Sequence, residues 1–248
     1  MTYRGLPPAI RIAVALVLGV AVGVVVAATL PVAVAGIATV ALSTPEKVPW
    51  ITSRLTAFVA YLALTGSVVY GLLLSTKILD AIAHRPVSFA LHQDLAAAGL
   101  GLAGVHGALL ALDRTIHFTL LDLLVPFASP YRPVAVGLGQ IALYVVLLVT
   151  VSFYARRRIG TRSWRMLHYL TFLAFAGATA HGILAGTDTT QPWAFAIYTV
   201  SAIAAVFLTT YRIVLGLAAA RERRGAHDTT GQAAERPTGG SRPAARAA

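Results

Sequence analysis

The segment LHQDLAAAGLGLAGVHGALL, residues 91–110, carries a histidine near each end of an otherwise apolar stretch, at His92 and His106. A second segment, WRMLHYLTFLAFAGATAHGIL at residues 164–184, carries His168 and His181 in the same way. Histidine inside a membrane-spanning helix is costly and uncommon, so it indicates a functional site by default. Two apolar segments with paired histidines therefore predict metal or haem ligation within a bundle of helices.

The composition is that of an integral membrane protein. Of the 248 residues, 57% are hydrophobic and only 12% are charged, whereas soluble domains carry about 25% charged residues. The absence of cysteine excludes disulfides, iron–sulfur clusters, thiolate zinc sites and covalently attached haem. The net charge of +11 comes from basic residues at span ends and in the tail, which fits topology and anionic lipid rather than nucleic acid.

Six stretches approach the length of about 20 apolar residues that a span requires. The sequence predicts an all-α fold, a six-helix transmembrane bundle in residues 1–220, with spans at about 9–42, 51–79, 88–112, 134–154, 164–185 and 193–217. Lysine and arginine are concentrated on the side of the N-terminus, which predicts an N-in and C-in multi-pass protein of the plasma membrane. Residues 221–248 are predicted to be a disordered cytoplasmic tail.

In this topology the third and fifth spans run in the same direction, so the four histidines form two cross-helix pairs. His92 and His168 lie near the cytoplasmic end, while His106 and His181 lie about 20 Å further out at 1.5 Å per residue. On one helix the fourteen-residue step returns to within roughly 40° of the same face, but the thirteen-residue step misses it by roughly 140°. Either Gly177 marks a local distortion or the two sites are rotated relative to one another.

Two imidazoles on one iron leave no open coordination position, which favours one-electron transfer. Without a C-x-x-C-H motif the cofactor would be non-covalent haem b, two per chain. Gly99 lies between His92 and His106 on their face, where a small residue lets a flat ring or a neighbouring helix approach closely. The anionic haem propionates require cations at both edges of the bundle. The candidates are Arg85, Arg165 and Arg162 on the inside and Arg132, Arg54 and Arg114 on the outside. Each of them is also explained as an ordinary basic residue at a helix end.

Two other classes of function use the same residues. A transition-metal or haem transporter would take the histidines as labile ligands, although carboxylates or thiolates would then be expected in the spans and only Asp94 is well placed. A membrane anchor for a redox partner, with incidental haem, is the third interpretation. His84, His117 and Asp188 have no assigned role, and Trp50, Trp164 and Trp193 fit the aromatic belts at span ends.

The spacings H-x13-H at His92 and His106 and H-x12-H at His168 and His181 resemble those of the ferric reductase-like transmembrane domain family, over residues 51–219. The segments VPFASPYRP at 125–133 and HGILAGTDT at 181–189 are also similar to bacterial members. The family includes the membrane domains of NADPH oxidases and ferric reductases and the haem subunit of the methionine sulfoxide reductase system. The resemblance implies two b haems in the pairing given above, and makes the unequal thirteen-residue step a family feature.

The chain departs from the NADPH oxidases because its sixth span is followed only by the polar tail, with no flavin or nicotinamide domain. We therefore expect an oxidoreductase component that receives electrons from a separate flavoprotein or from quinol. It would pass them across the membrane to ferric iron, oxygen or an outer redox protein. Quinone, or flavin held by a partner, is the further cofactor that this interpretation allows.

Overall fold

The computed structural model describes residues 47–78, 84–113 and 116–234, residue 80, and isolated positions between 31 and 44. Within these residues the chain is helical and no strand occurs. The helices are α1 (Val48–Thr76), α2 (Arg85–Leu110), α3 (Leu120–Leu124), α4 (Pro133–Ile159), α5 (Thr161–His168), α6 (Leu170–Ala185) and α7 (Pro192–Ala234). The predicted all-α class is confirmed for this part of the chain.

Four stretches of helix are long and apolar enough to cross a membrane: Val48–Thr76, Pro133–Ile159, Thr161–Ala185 and Pro192–Arg224. This is the composition of a multi-pass membrane protein. The predicted span at 88–112 forms α2, which is long enough but less apolar because His92, Gln93 and Asp94 interrupt it. The predicted span at 9–42 lies almost entirely outside the described residues, so six spans and the N-in, C-in topology stay predictions.

Proline marks where the long helices begin. Pro49, Pro86, Pro133 and Pro192 each lie within the first turn, where the missing N–H has no helical partner to lose. Two of these helices end in backbone conformations with positive φ, at Lys77 (58°) and Gly160 (84°). The helix boundaries therefore follow from local sequence chemistry.

The helices pack as two close pairs, α1 with α2 and α4 with α6, while hardly any close backbone contact joins α2 to α6. Aromatic and aliphatic residues hold α1 to α6 and α7, including the cluster of Tyr61, Ala194, Ile197 and Tyr198. The Tyr61 hydroxyl also hydrogen-bonds Thr179 Oγ1 across the α1–α6 contact at 3.0 Å. The space between the two pairs is where the histidines meet.

The connection between α2 and α4 contains the short helix α3. Thr119 and Asp122 form a capping box at its start, in which Asp122 Oδ2 accepts from the Thr119 hydroxyl at 2.7 Å and from the Thr119 N–H at 2.8 Å. These bonds hold the pKa of the Asp122 carboxyl below its usual value. The side chains of Leu120, Leu121 and Leu124 are exposed on α3.

Two features differ from the sequence-based expectations. The predicted fifth span is interrupted at Tyr169, where the backbone tightens into a turn with Phe172 N–H donating to Tyr169 O at 3.1 Å. Of the two alternatives for the thirteen-residue step, a local distortion at Gly177 is not observed, because that residue lies within continuous α6. In addition, α7 continues as helix to Ala234, into the stretch predicted to be a disordered tail.

Candidate functional site: two facing pairs of histidines

The structure brings together the two pairs of histidines that the sequence analysis matches by depth. The ring centroids of His92 on α2 and His168 on α5 are 6.1 Å apart, with ring planes at 73°. Those of His106 on α2 and His181 on α6 are 6.2 Å apart, with ring planes at 65°. Both pairs join α2 to the α5–α6 segment across the space that the backbones leave open.

These separations match two imidazoles on opposite sides of one metal ion. An imidazole nitrogen binds a first-row metal at about 2.0–2.1 Å and lies about 1.1 Å from the ring centre, so two trans ligands have centroids about 6.3 Å apart. The observed 6.1 Å and 6.2 Å are within about 0.2 Å of that value. Direct hydrogen bonding or ring stacking between the histidines would bring the rings closer.

The protonation of three of the four rings follows from their neighbours. The Nδ1 atoms of His92, His106 and His181 each lie 2.8–2.9 Å from a backbone carbonyl oxygen, of Ser67, Ser53 and Ala135 respectively. A carbonyl oxygen can only accept, so Nδ1 carries the proton in each ring. Nε2 is then unprotonated and available to a metal, with Nδ1–H held by the kind of carbonyl partner that metal-binding histidines have.

His168 differs from the other three. Its Nδ1 is buried and has no hydrogen-bond partner among the described residues, and the same is true of Trp164 Nε1 one helical turn earlier. The two rings lie against each other, with centroids 5.1 Å apart and planes at 30°. Trp164, assigned to an aromatic belt in the sequence analysis, therefore packs on a candidate ligand of the inner site.

Among the described residues, no third protein ligand accompanies either pair. In the described ranges, no group of three or more His, Asp or Glu side chains lies close enough to hold a metal ion. Asp94, the acid nearest the inner pair in sequence, is exposed on α2. A bare transition metal would have only two protein ligands at each position, whereas a macrocycle supplies the equatorial ligands itself.

Each pair lines a cavity between the two packed helix pairs. The inner cavity has a volume of about 650 Å³ and is lined by His92 and His168, together with apolar residues of α1, α2, α4 and α6. The outer cavity, lined by His106 and His181, measures about 220 Å³. Ligand pockets usually measure about 300–1,000 Å³, so a large ligand at the outer position requires its apolar walls to move apart.

The predicted propionate-binding arginines divide into two groups. Arg85 and Arg165 line the inner cavity, as a propionate partner should. At the outer cavity the lining cation is Arg54, which is paired with Asp188. Arg132 does not line the outer cavity, and its guanidinium donates to the carbonyl oxygen of Leu184 at 2.6 Å. Arg114 is outside the described residues.

The glycines that make room for the rings are not the predicted one. Gly99 packs against α1, where a methyl group on it would lie 2.7 Å from Leu64 Cγ, so its small size serves helix packing. Gly71 and Gly139 are the glycines that lie against ligand rings. A methyl group on Gly71 would lie 3.2 Å from His92 Cε1, and one on Gly139 would lie 2.6 Å from His181 Cγ.

Sequence reasoning also missed Ser53 and Ser67, whose hydroxyls and carbonyls contact two of the histidines. Their spacing of fourteen residues equals that of His92 and His106, and this match is visible in the sequence. Of the unassigned histidines, His84 precedes α2 without a side-chain capping bond, and His117 is exposed with a φ of 56°.

Comparison of the chain with models of protein families, with curated proteins and with solved structures finds no match. The function therefore has to be argued from the arrangement of residues in the two sites.

Proposed function

We propose that the protein is a transmembrane cytochrome b that holds two haems through His92 with His168 and His106 with His181. The observation that carries the proposal is the pair of centroid separations, 6.1 Å and 6.2 Å, which suit one metal ion between each pair of rings. The haem irons, when bound, would supply one-electron transfer at two depths. With both axial positions filled by imidazole, the protein would move electrons without binding a substrate at the metal.

The chain's own residues support this role. Three rings have Nδ1–H bonded to a carbonyl oxygen, which leaves Nε2 unprotonated and able to bind a metal. Arg165 lines the inner cavity and can neutralise a propionate there. Arg85 and Arg54 would have to exchange their carboxylate partners, Asp80 and Asp188, to do the same. Both cavities are lined mainly by apolar side chains, as cofactor pockets usually are.

We further propose that the bundle has six spans with both termini in the cytoplasm of a bacterium, and that it is related to the ferric reductase-like transmembrane domain. In this arrangement a separate flavoprotein or quinol donates electrons, and the acceptor is ferric iron, oxygen or an outer redox protein. The proposal of metal transport has less support, because each pair offers only two ligands in the described part of the chain.

The test is the haem content of the purified chain, with a reduced-minus-oxidised spectrum. We expect two low-spin b haems. The single variants His92→Ala and His168→Ala should each lose the inner haem, and the double variant should lose no more, because both residues serve one site. Combining His92→Ala with His106→Ala should remove both haems. His117→Ala is the control, since this exposed histidine belongs to neither pair.

Two results would overturn the proposal. One is a well-folded chain from a haem-replete host that contains no haem. The other is loss of one common site in the single variants of all four histidines, because two independent sites cannot respond in that way.

A further inference from the structure

Two serines of α1 repeat the spacing of two histidines of α2. Ser53 lies beside His106 and Ser67 lies beside His92, so the two helices run antiparallel and meet in the same register at both places. Each serine is deeply buried, with 0% of Ser53 and 5% of Ser67 exposed. Buried hydroxyls in a membrane protein require partners, and both serines find theirs in the histidines.

The contacts are nearly identical at the two positions. Ser53 Oγ lies 2.8 Å from His106 Nδ1 and 3.0 Å from the His106 carbonyl oxygen. Ser67 Oγ lies 3.0 Å from His92 Nδ1 and 3.0 Å from the His92 carbonyl oxygen. The serine carbonyl is the second acceptor beside each Nδ1.

The directions of these bonds are fixed by elimination. Because Nδ1 carries the ring proton, the serine hydroxyl accepts from it and donates its own proton to the histidine carbonyl. Nδ1–H is thus shared between two oxygens of one serine. A single residue holds the histidine by its ring and by its backbone, and so fixes both the tautomer and the ring orientation.

This behaviour is unusual within α1. A serine or threonine in a membrane helix commonly donates to a carbonyl of the preceding turn of its own helix. Thr56, Ser75 and Thr76 do so, with bonds of 2.8–3.1 Å to carbonyls three or four residues back. Ser53 and Ser67 instead bond across to α2.

We propose that Ser53 and Ser67 are positioning residues, each of which sets the electron donation of one histidine to the metal at its own site. This inference rests on the proposed function. Partners of the Nδ1–H group orient a histidine ligand and raise its basicity, which stabilises the oxidised metal. Loss of the serine hydroxyl therefore raises the reduction potential of the haem at that position and weakens its retention.

The experiment is a redox titration of the full-length chain bearing Ser67→Ala or Ser53→Ala. We expect Ser67→Ala to raise the potential of the inner haem and Ser53→Ala that of the outer haem, by up to about tenfold in the redox equilibrium, or about 59 mV. The other haem in the same molecule should keep its potential. Ser67→Cys keeps a weaker donor and acceptor, so its shift should be smaller and in the same direction.

Ser75→Ala is the matched control. It also removes one hydroxyl from α1 beside the inner cavity, but that hydroxyl donates only to Leu72 O. Loss of haem from one position, with the other intact, supports the proposal as well.

Two low-spin haems whose potentials do not move in either serine variant would overturn this inference and leave the proposed function standing. The same conclusion follows if either variant moves or loses both haems equally, or if Ser75→Ala gives the same shift. A wild-type chain without haem overturns both.

Discussion

A single methyl group at Gly139 should empty the outer site. Gly139 belongs to α4, and a Cβ added there would lie 2.6 Å from His181 Cγ, 2.7 Å from Nδ1 and 2.9 Å from Cδ2. Carbon atoms pack comfortably at about 3.5–4.0 Å, so the His181 ring has to retreat by about 1 Å. That retreat separates Nδ1 from the Ala135 carbonyl, which it meets at 2.8 Å.

The size of the effect follows from the cost of overpacking, about 1–3 kcal/mol. If this free energy destabilises only the conformation in which the His181 ring can bind haem, the affinity for the outer haem drops by about 5- to 140-fold. The conversion is about 1.4 kcal/mol for each tenfold change in affinity. The inner pair, about 20 Å away along α2 at 1.5 Å per residue, should be unaffected. Gly139→Ala should therefore purify with one haem where the wild-type chain has two.

The assay is haem per chain together with the low-spin signal of the remaining haem. Gly104→Ala is the control, because a methyl group there would meet nothing within 4 Å. Gly71→Ala is the graded case, since its methyl group would lie 3.2 Å from His92 Cε1, and it should disturb the inner site mildly. Retention of two haems with unchanged potentials in Gly139→Ala would refute the reasoning. So would equal loss in Gly104→Ala.

Two further predictions concern the rings. With axial planes at 73° and 65°, the iron d orbitals that meet the two imidazoles stay close in energy, so both ferric haems should give strongly anisotropic low-spin EPR signals. A signal typical of parallel planes would contradict the ring angles. His168 has no acceptor for its Nδ1–H in the described part of the chain and should be the weakest of the four ligands. Cyanide titrated into the oxidised protein should therefore change the inner haem spectrum first. His106→Ala, which removes the outer haem, should keep that response, and a first change at the outer haem would argue against it.

The sequence predicts the all-α membrane class and the pairing of histidines because both depend on simple regularities. Apolar length identifies spans. Depth along parallel spans decides which histidines can meet, since each residue advances the helix by about 1.5 Å. These rules tolerate errors of a few residues at the helix ends, which is why the pairs meet although several boundaries differ from expectation.

The residues that contact the histidine rings could not be predicted from span length and depth. Gly99 shares a face with His92 and His106 on an ideal helix, but in the structure it contacts Leu64 of α1 and not a histidine ring. Gly71 and Gly139 lie on helices that carry no ligand, so only the tertiary arrangement shows what they touch. The carbonyl of Ala135 has no signature in sequence at all.

The thirteen-residue step from His168 to His181 also depends on tertiary structure. A straight helix gives a mismatch of roughly 140°, but the helix is interrupted at Tyr169, directly after the first ligand. Nothing in the letters around Tyr169 is a strong helix breaker, since neither glycine nor proline occurs there. The turn at Tyr169 lies between His168 on α5 and His181 on α6, and its φ of −65° and ψ of −20° remain in the right-handed helical region.

The arrangement of helices implies a structural role for the two haem sites that we propose. In lipid, helices gain little from hydrophobic burial and associate through close packing and polar bonds. Such packing joins α1 to α2 and α4 to α6, but hardly any joins α2 to α6. The bonds from each histidine pair to a shared metal would supply this missing contact at two depths. Binding of the cofactor would then be coupled to the association of α2 with α6, as metal binding is coupled to folding in other proteins.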